Sequence, residues 1–274
     1  MSEQKSIREL LEAIRASQQA RAPAKISDPA ELVAHVGVVG VEGYWESLET
    51  SSKTWAAECA AQPVWTEARS EATRWSGEFH RKTGQSLFSD ADLPAFVGKE
   101  MPRLREKTLR DVKRKGVERV FPNGSPVPQI NDLVRVRIAT RFLDGVAFVA
   151  EKLIGHFKRH NIELKAEARA SGYYAHHLYF SWKRLFSFAT KEDVAVSVVC
   201  EIQIATELAT TIWDRTHGVY ELSRVAADAG ADDDAWQWMP SDPRFIAAQL
   251  GNMIHLADGL VVQLRDAVQK ESKK

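Results

Sequence analysis

The stretch LVRVRIATRF, residues 133–142, opens by alternating apolar Val134, Val136 and Ile138 with basic Arg135 and Arg137. A period of two puts these sets on opposite faces of a β-strand, one buried and one polar. Working outward, DGVAFVAEKLIGHFKRHN (144–161) reads as a helix, with Val146, Phe148, Val149, Leu153 and Ile154 among its apolar positions. Tyr174–Trp182 reads as a second strand, with His176, Leu178 and Phe180 on one face. VAVSVVCEIQI (194–204) reads as a third, rich in β-branched residues and nearly all apolar. A helix from Thr206 to about Arg224 follows, and Pro243–Lys270 reads as one long amphipathic C-terminal helix. Strand, helix, strand, strand, helix predicts an α/β core.

Upstream, Ser6–Arg21 reads as an amphipathic helix ended by Pro23, and 28–96 as mostly helical. Trp45, Trp55, Trp65 and Trp75 recur every ten residues, but the residues around them do not repeat. Ten residues leave a helix about 80° off register, so no single stripe is implied. The four are read as packing a helical region. Residues 99–119 read as a basic helix closed by Gly116 and Pro122, and 123–129 as a loop.

Lys+Arg and Asp+Glu both total 37, so net charge says nothing about partners. Its distribution says more: residues 99–119 hold nine Lys/Arg against four Asp/Glu. Asp228, Asp232, Asp233 and Asp234 form an acidic stretch near the other end. Such segregation builds a positive field suited to phosphates. Cys59 and Cys200 offer neither a disulfide framework nor a metal spacing. Cys200 is read as a small buried hydrophobe rather than a nucleophile. The N-terminus lacks the character of a secretory signal, and the apolar run 36–41 is too short to span a bilayer. A cytoplasmic chain with no membrane contact is expected.

Two carboxylates stand out. Asp132 immediately precedes the first strand, and Glu201 lies within the third. An acid in such a strand is costly unless paired, hydrogen-bonded or metal-bound. With Arg135 and Arg137 beside them, two readings stay open. One is a magnesium–phosphate site, since magnesium takes one or two carboxylates plus phosphate oxygens. The other is a structural ion-pair network.

Four blocks in order resemble the RelA/SpoT synthetase domain, over about residues 99–220. Arg105-Glu106-Lys107, with Lys115 further on, resembles its basic helix. Asp132-Leu133-Val134-Arg135-Val136-Arg137-Ile138 resembles its D-L/I-x-G-x-R-I strand. Gly172-Tyr173-Tyr174-Ala175-His176-His177 resembles G-Y-x-S-x-H. Glu201-Ile202-Gln203-Ile204-Ala205-Thr206, then Trp213 and His217, resembles E-I-Q-I-R-T and its following helix. The resemblance implies a nucleotidyltransferase-like mixed sheet with flanking helices and helical N- and C-terminal extensions. The expected divisions are a helical region at 1–96, a synthetase domain at 97–224, and an acidic loop with a C-terminal helix at 225–274.

The resemblance also implies a short, synthetase-only pyrophosphokinase, moving the β,γ-pyrophosphate of ATP to the 3′-hydroxyl of GDP or GTP. Asp132 and Glu201 would hold Mg2+, and Glu201 would also help deprotonate the attacking hydroxyl. Arg105 and Arg137 would sandwich the adenine, while Lys107 and Lys115 bind the ATP phosphates. Tyr173 would stack on the acceptor base, with His177 and Gln203 lining the site. On a strand, adjacent His176 and His177 face opposite sides, so only one can serve.

The departures gather on the acceptor side. Arg135 stands for the family Gly, Tyr174 and Ala175 for Arg and Ser, Ala205 for Arg, and Asp111 for the Ser of the basic helix. Thr210 lies near the place of a usual Asn, and Trp213 is shifted by one. Two other functions therefore stay open. One is a toxin pyrophosphorylating the tRNA 3′-CCA end or another nucleotide, partnered by an antitoxin; the other is a catalytically silent nucleotide-binding module. A homo-oligomer through the C-terminal helix also stays open.

Overall fold

The computed structural model describes residues 42–89, 93–169, 174–188, 193–228 and 237–272. The predicted helix at Ser6–Arg21 lies outside them. Two long helices come first, α1 (Tyr44–Ala60) and α2 (Pro63–Thr83). The two-residue β1 (Val97–Gly98) leads into α3 (Met101–Lys115) and the short α4 (Val117–Val120). Then come β2 (Val134–Thr140), α5 (Leu143–Arg159), β3 (Lys165–Arg169), β4 (Ala175–Ser187) and β5 (Asp193–Thr206). The chain closes with α6 (Glu207–Asp228) and α7 (Pro243–Glu271). Pro63 and Pro243 open α2 and α7 and Pro102 is the second residue of α3, all within the first turn, where no intrahelical N–H bond is lost.

The five strands form one mixed sheet in the order β1-β2-β5-β4-β3. Only β2 and β5 run parallel; the other three pairs are antiparallel. This is the α/β sheet with flanking helices that the sequence predicts, extended by two strands it does not announce, β1 and β3. The basic helix read over 99–119 divides at Gly116, whose φ of 85° no residue with a Cβ adopts cheaply.

Register sorts the sheet into two faces. Val134, Val136 and Ile138 lie level with Cys200, Ile202 and Ile204, and these with Phe180, Leu178 and His176. Apart from His176, this row belongs to one hydrophobic core with Val149, Leu153 and Phe157 of α5. Trp55, Trp65 and Trp75 enter the same core: α1 packs on β1 and β2, and α2 on α5. Trp55 meets Phe186, Trp65 meets Phe96, and Trp75 meets the His156 ring, all tilted or edge-on. Cys200 is fully buried there and its thiol pKa is raised, by a hydrogen bond with Cys59 and by burial. That suits a small apolar filler.

Gly98 sets the edge of the sheet. A Cβ at this position would lie 2.6 Å from the Ser52 carbonyl carbon and the Lys53 nitrogen, so α1 and β1 meet backbone to backbone. Lys99 then donates its N–H to Leu133 O (3.1 Å), which carries its side chain to the start of β2.

Helix α7 is capped by Asp242, which accepts from Arg244 N at 2.8 Å. Arg265 grips Asp144 of α5 through two nitrogens (2.8 and 3.2 Å), and Thr206 donates to Asp258 (2.5 Å). Gln269 donates to Thr83 O. Outside these ties Met253, Leu256, Leu260 and Leu264 are exposed. By length and composition alone α7 could cross a membrane. Its polar ties nevertheless lash it to α2, α5 and β5.

Candidate active site

The opposite face of the sheet is polar. Arg135, Glu201 and Tyr179 lie side by side across β2, β5 and β4, and one pleat further Arg137, Gln203 and His177 do the same. Period two puts the two residues of each strand on one face, and the strand register sets them side by side. Adjacent His176 and His177 accordingly face opposite sides, and only His177 joins this row.

Glu201 is 3% exposed, among the most enclosed acids described. Its Oε1 meets His177 Nδ1 at 2.8 Å, and its Oε2 accepts from Gln203 Nε2 at 2.7 Å. Both carboxylate oxygens are thus fixed by side chains on rigid strands. Burial without a bonded partner would be prohibitive for this group, and the two bonds supply what water would.

Asp132 sits in the turn before β2 and solves the same problem with charge. Its Oδ2 accepts from Lys99 Nζ at 2.6 Å and its Oδ1 from Lys107 Nζ at 2.5 Å. Burial alone would raise its pKa, but the two ammonium groups outweigh it and hold the carboxyl well below the usual range. Lys99 is pushed down by its own burial, an effect Asp132 partly offsets. One carboxylate against two ammonium groups leaves this corner cationic. An anion arriving there would share the lysines with Asp132.

The remaining predicted residues are less gathered. Arg137 projects from β2 to Asp214 of α6, Nη1 to Oδ1 at 2.7 Å. Lys115 is paired within α3 to Asp111 at 2.7 Å, as is Arg114 at 3.3 Å. Asp111, standing where the resemblance carries a Ser, is buried and claims both cations. Arg105 is exposed on α3. Tyr173 lies outside the described residues. Its neighbour Tyr174 stacks on His255 of α7 with centroids 3.8 Å apart and donates its hydroxyl to Asn252 at 3.0 Å. Ala175 and Ala205, two of the departures, pack together with Ala209 and Trp213 of α6. Ala205 is fully buried, so an arginine there would need this packing opened.

Sequence reasoning missed Lys99, whose partner lies 33 residues away. Its only forewarning is Gly98 before it. It missed Asp214 as well, the exposed acid of α6 that pairs with Arg137.

Asp132 and Glu201 each offer the carboxylate oxygens that magnesium takes. Asp132 and Glu201 sit on neighbouring elements, with Glu201 level with Arg135, three residues beyond Asp132.

The mixed sheet with flanking helices is the fold class that the resemblance in sequence implies. Among solved structures, the chain is similar to small alarmone synthetase 1 from Bacillus subtilis bound to its product pppGpp. The TM-score is 0.50 at 15% identity, covering 83% of this chain and 100% of that one. Small alarmone synthetase 1 from the same organism (TM-score 0.47, 15% identity, covering 85% and 99%) and small alarmone synthetase 2 (0.44, 16%, 85% and 99%) are also similar. No protein-family model and no curated protein matches the sequence. The chain has the fold of the small alarmone synthetases.

Proposed function

We propose that this protein is a cytoplasmic, ATP-dependent pyrophosphokinase that transfers the β,γ-pyrophosphate of ATP to the 3′-hydroxyl of GDP or GTP, giving (p)ppGpp. The observation that carries the reading is Glu201, buried and fixed by His177 and Gln203, on the polar face that begins at Asp132 with Lys99 and Lys107.

In the reaction a bond forms between the 3′-oxygen and the β-phosphorus, and the bond from that phosphorus to the α,β-bridging oxygen breaks, releasing AMP. Glu201 takes the hydroxyl proton, its carboxylate oriented by His177 and Gln203. Lys107 and Lys99 meet the phosphates, and Arg137, released from Asp214, stacks on the adenine with Arg105. Lys115 joins the phosphate set by leaving Asp111. His177, Gln203 and Tyr173 line the acceptor side. Asp132 and Glu201 are the residues that would hold Mg2+, which when bound neutralises polyphosphate charge. Such transfer needs positioning and charge neutralisation more than covalent catalysis.

A second reading, an acceptor such as the tRNA 3′ end, is favoured by one observation. Ala175 and Ala205 are closed by Ala209 and Trp213 where the resemblance carries Ser and Arg.

The test incubates the protein with γ-labelled ATP and magnesium, offering GDP, GTP and deacylated tRNA separately, beside Glu201→Gln. Label in guanosine nucleotides that vanishes in the variant supports the first reading, and label in tRNA alone supports the second. If no acceptor takes Glu201-dependent label, the transfer reading fails and a silent nucleotide-binding module replaces it.

A further inference from the structure

A second cluster of ligating side chains lies away from this face, on the helical layer behind the sheet. His156 lies in the last turn of α5 and His160, four residues on, is the residue that caps its C-terminus, while Glu67 faces them from α2. One ligand atom from each lies within 4.8 Å of the other two, the one such trio among the described residues. The two rings are 4.9 Å apart.

The tautomer of His156 is fixed by its surroundings. Its ring is buried and its Nε2 lies 2.8 Å from the Val64 carbonyl, which can only accept, so Nε2 carries the hydrogen. The lone pair therefore resides on Nδ1, where it accepts from Arg159 Nη2 at 3.0 Å. A ring held by a backbone carbonyl on one nitrogen and offering the other is how metal-binding histidines are oriented. The guanidinium of Arg159 is more than half exposed and can swing away.

His160 Nε2 and Glu67 Oε2 are 3.1 Å apart. Two ligand atoms on one tetrahedral zinc, each bonded at about 2.0–2.1 Å, stand about 3.3 Å apart. The observed gap is close to that. Glu71, one turn from Glu67, is 3.7 Å from His156 Nδ1 but is engaged by Arg74 and Arg159.

We propose that Glu67, His156 and His160 bind a divalent transition-metal ion of the zinc type, clipping α2 to α5. Two imidazoles and one carboxylate suit zinc, whereas magnesium prefers oxygen donors throughout. The site is thus chemically separate from Asp132 and Glu201.

The test titrates untagged, chelator-stripped full-length protein with zinc chloride by calorimetry, with thermal melts in parallel, for wild type, His160→Gln and Glu67→Gln. Both replaced side chains are partly exposed, and circular dichroism checks that the variants stay folded. The expected result is one zinc per chain, unmoved by a hundredfold excess of magnesium and weakened at least tenfold in each variant. Zinc should raise Tm in wild type and raise it less in the variants. Equal binding in wild type and both folded variants, or no binding in wild type, would overturn the assignment.

Discussion

Asp132 and Glu201 are both buried acids at one sheet, yet they are held in opposite ways. Asp132 is enclosed by two ammonium groups, and Glu201 by an imidazole and an amide. The first arrangement depends on charge and the second on the geometry of two adjacent strands. Asp132 stands in a turn, where long flexible lysines can reach it from β1 and α3. Glu201 stands in mid-strand, where its partners are Gln203, two residues on along β5, and His177, level with Gln203 on β4. The difference teaches a division of labour: a charged corner adapts to a polyanion, while a strand-fixed carboxylate keeps its direction.

Replacing Glu201 by Gln breaks the second arrangement without emptying it. The proposed proton acceptor disappears while the side-chain volume stays, so kcat should fall by about 10^2–10^4-fold. Tm should move far less than in the next variant. Steady-state assays and thermal melts on the same preparation check both.

Asp132→Asn attacks the charged corner. Lys99 and Lys107 would be left without their counter-charge, and Lys99 is largely shut away from water. Breaking such a buried pair costs about 3 kcal/mol. Urea denaturation of wild type and variant measures it.

The same carboxyl predicts a pH dependence. Its folded pKa is depressed below the unfolded value of about 3.9, so its contribution is complete above that pH. Protonation removes the contribution as pH falls from about 4 towards the depressed folded pKa. The stability gap between wild type and Asp132→Asn should therefore narrow on acidification. A gap that widened would contradict the assignment.

The smallest effect belongs to the exposed Arg137–Asp214 pair. Asp214→Ala should cost less than about 1 kcal/mol, because water screens such pairs. It should also lower the KM for ATP about two- to fivefold, by freeing Arg137 for adenine. An unchanged or raised KM would remove Arg137 from the adenine site.

Much of the sheet was legible. The alternation of Val134, Arg135, Val136 and Arg137 marks β2 by its period of two, and the β-branched, nearly all-apolar run marks β5. Strand β3 was not, since Lys165-Ala166-Glu167-Ala168-Arg169 has none of the β-branched or aromatic residues that mark strands. Its place is set by pairing with β4. The four tryptophans were legible as packing residues. That three of them share the core of the sheet was not, because helix-to-sheet contacts leave no local period.

In the candidate site, period two is also what aligned Glu201 with Gln203. That His177 reaches Glu201 depends on the β4–β5 register, which sequence does not contain. The capture of Asp132 by Lys99 depends on Gly98 letting the chain lie against α1, a three-dimensional cause. Asp111 was noted only as a departure, and the structure shows its consequence: a buried acid holding Lys115 and Arg114.

The most direct measurement follows adenine nucleotides after mixing the protein with ATP, magnesium and GDP, beside Glu201→Gln. The account predicts AMP and a guanosine product carrying two added phosphates, both lost in the variant. ADP with inorganic phosphate, or AMP formed equally by the variant, would contradict pyrophosphate transfer at this face.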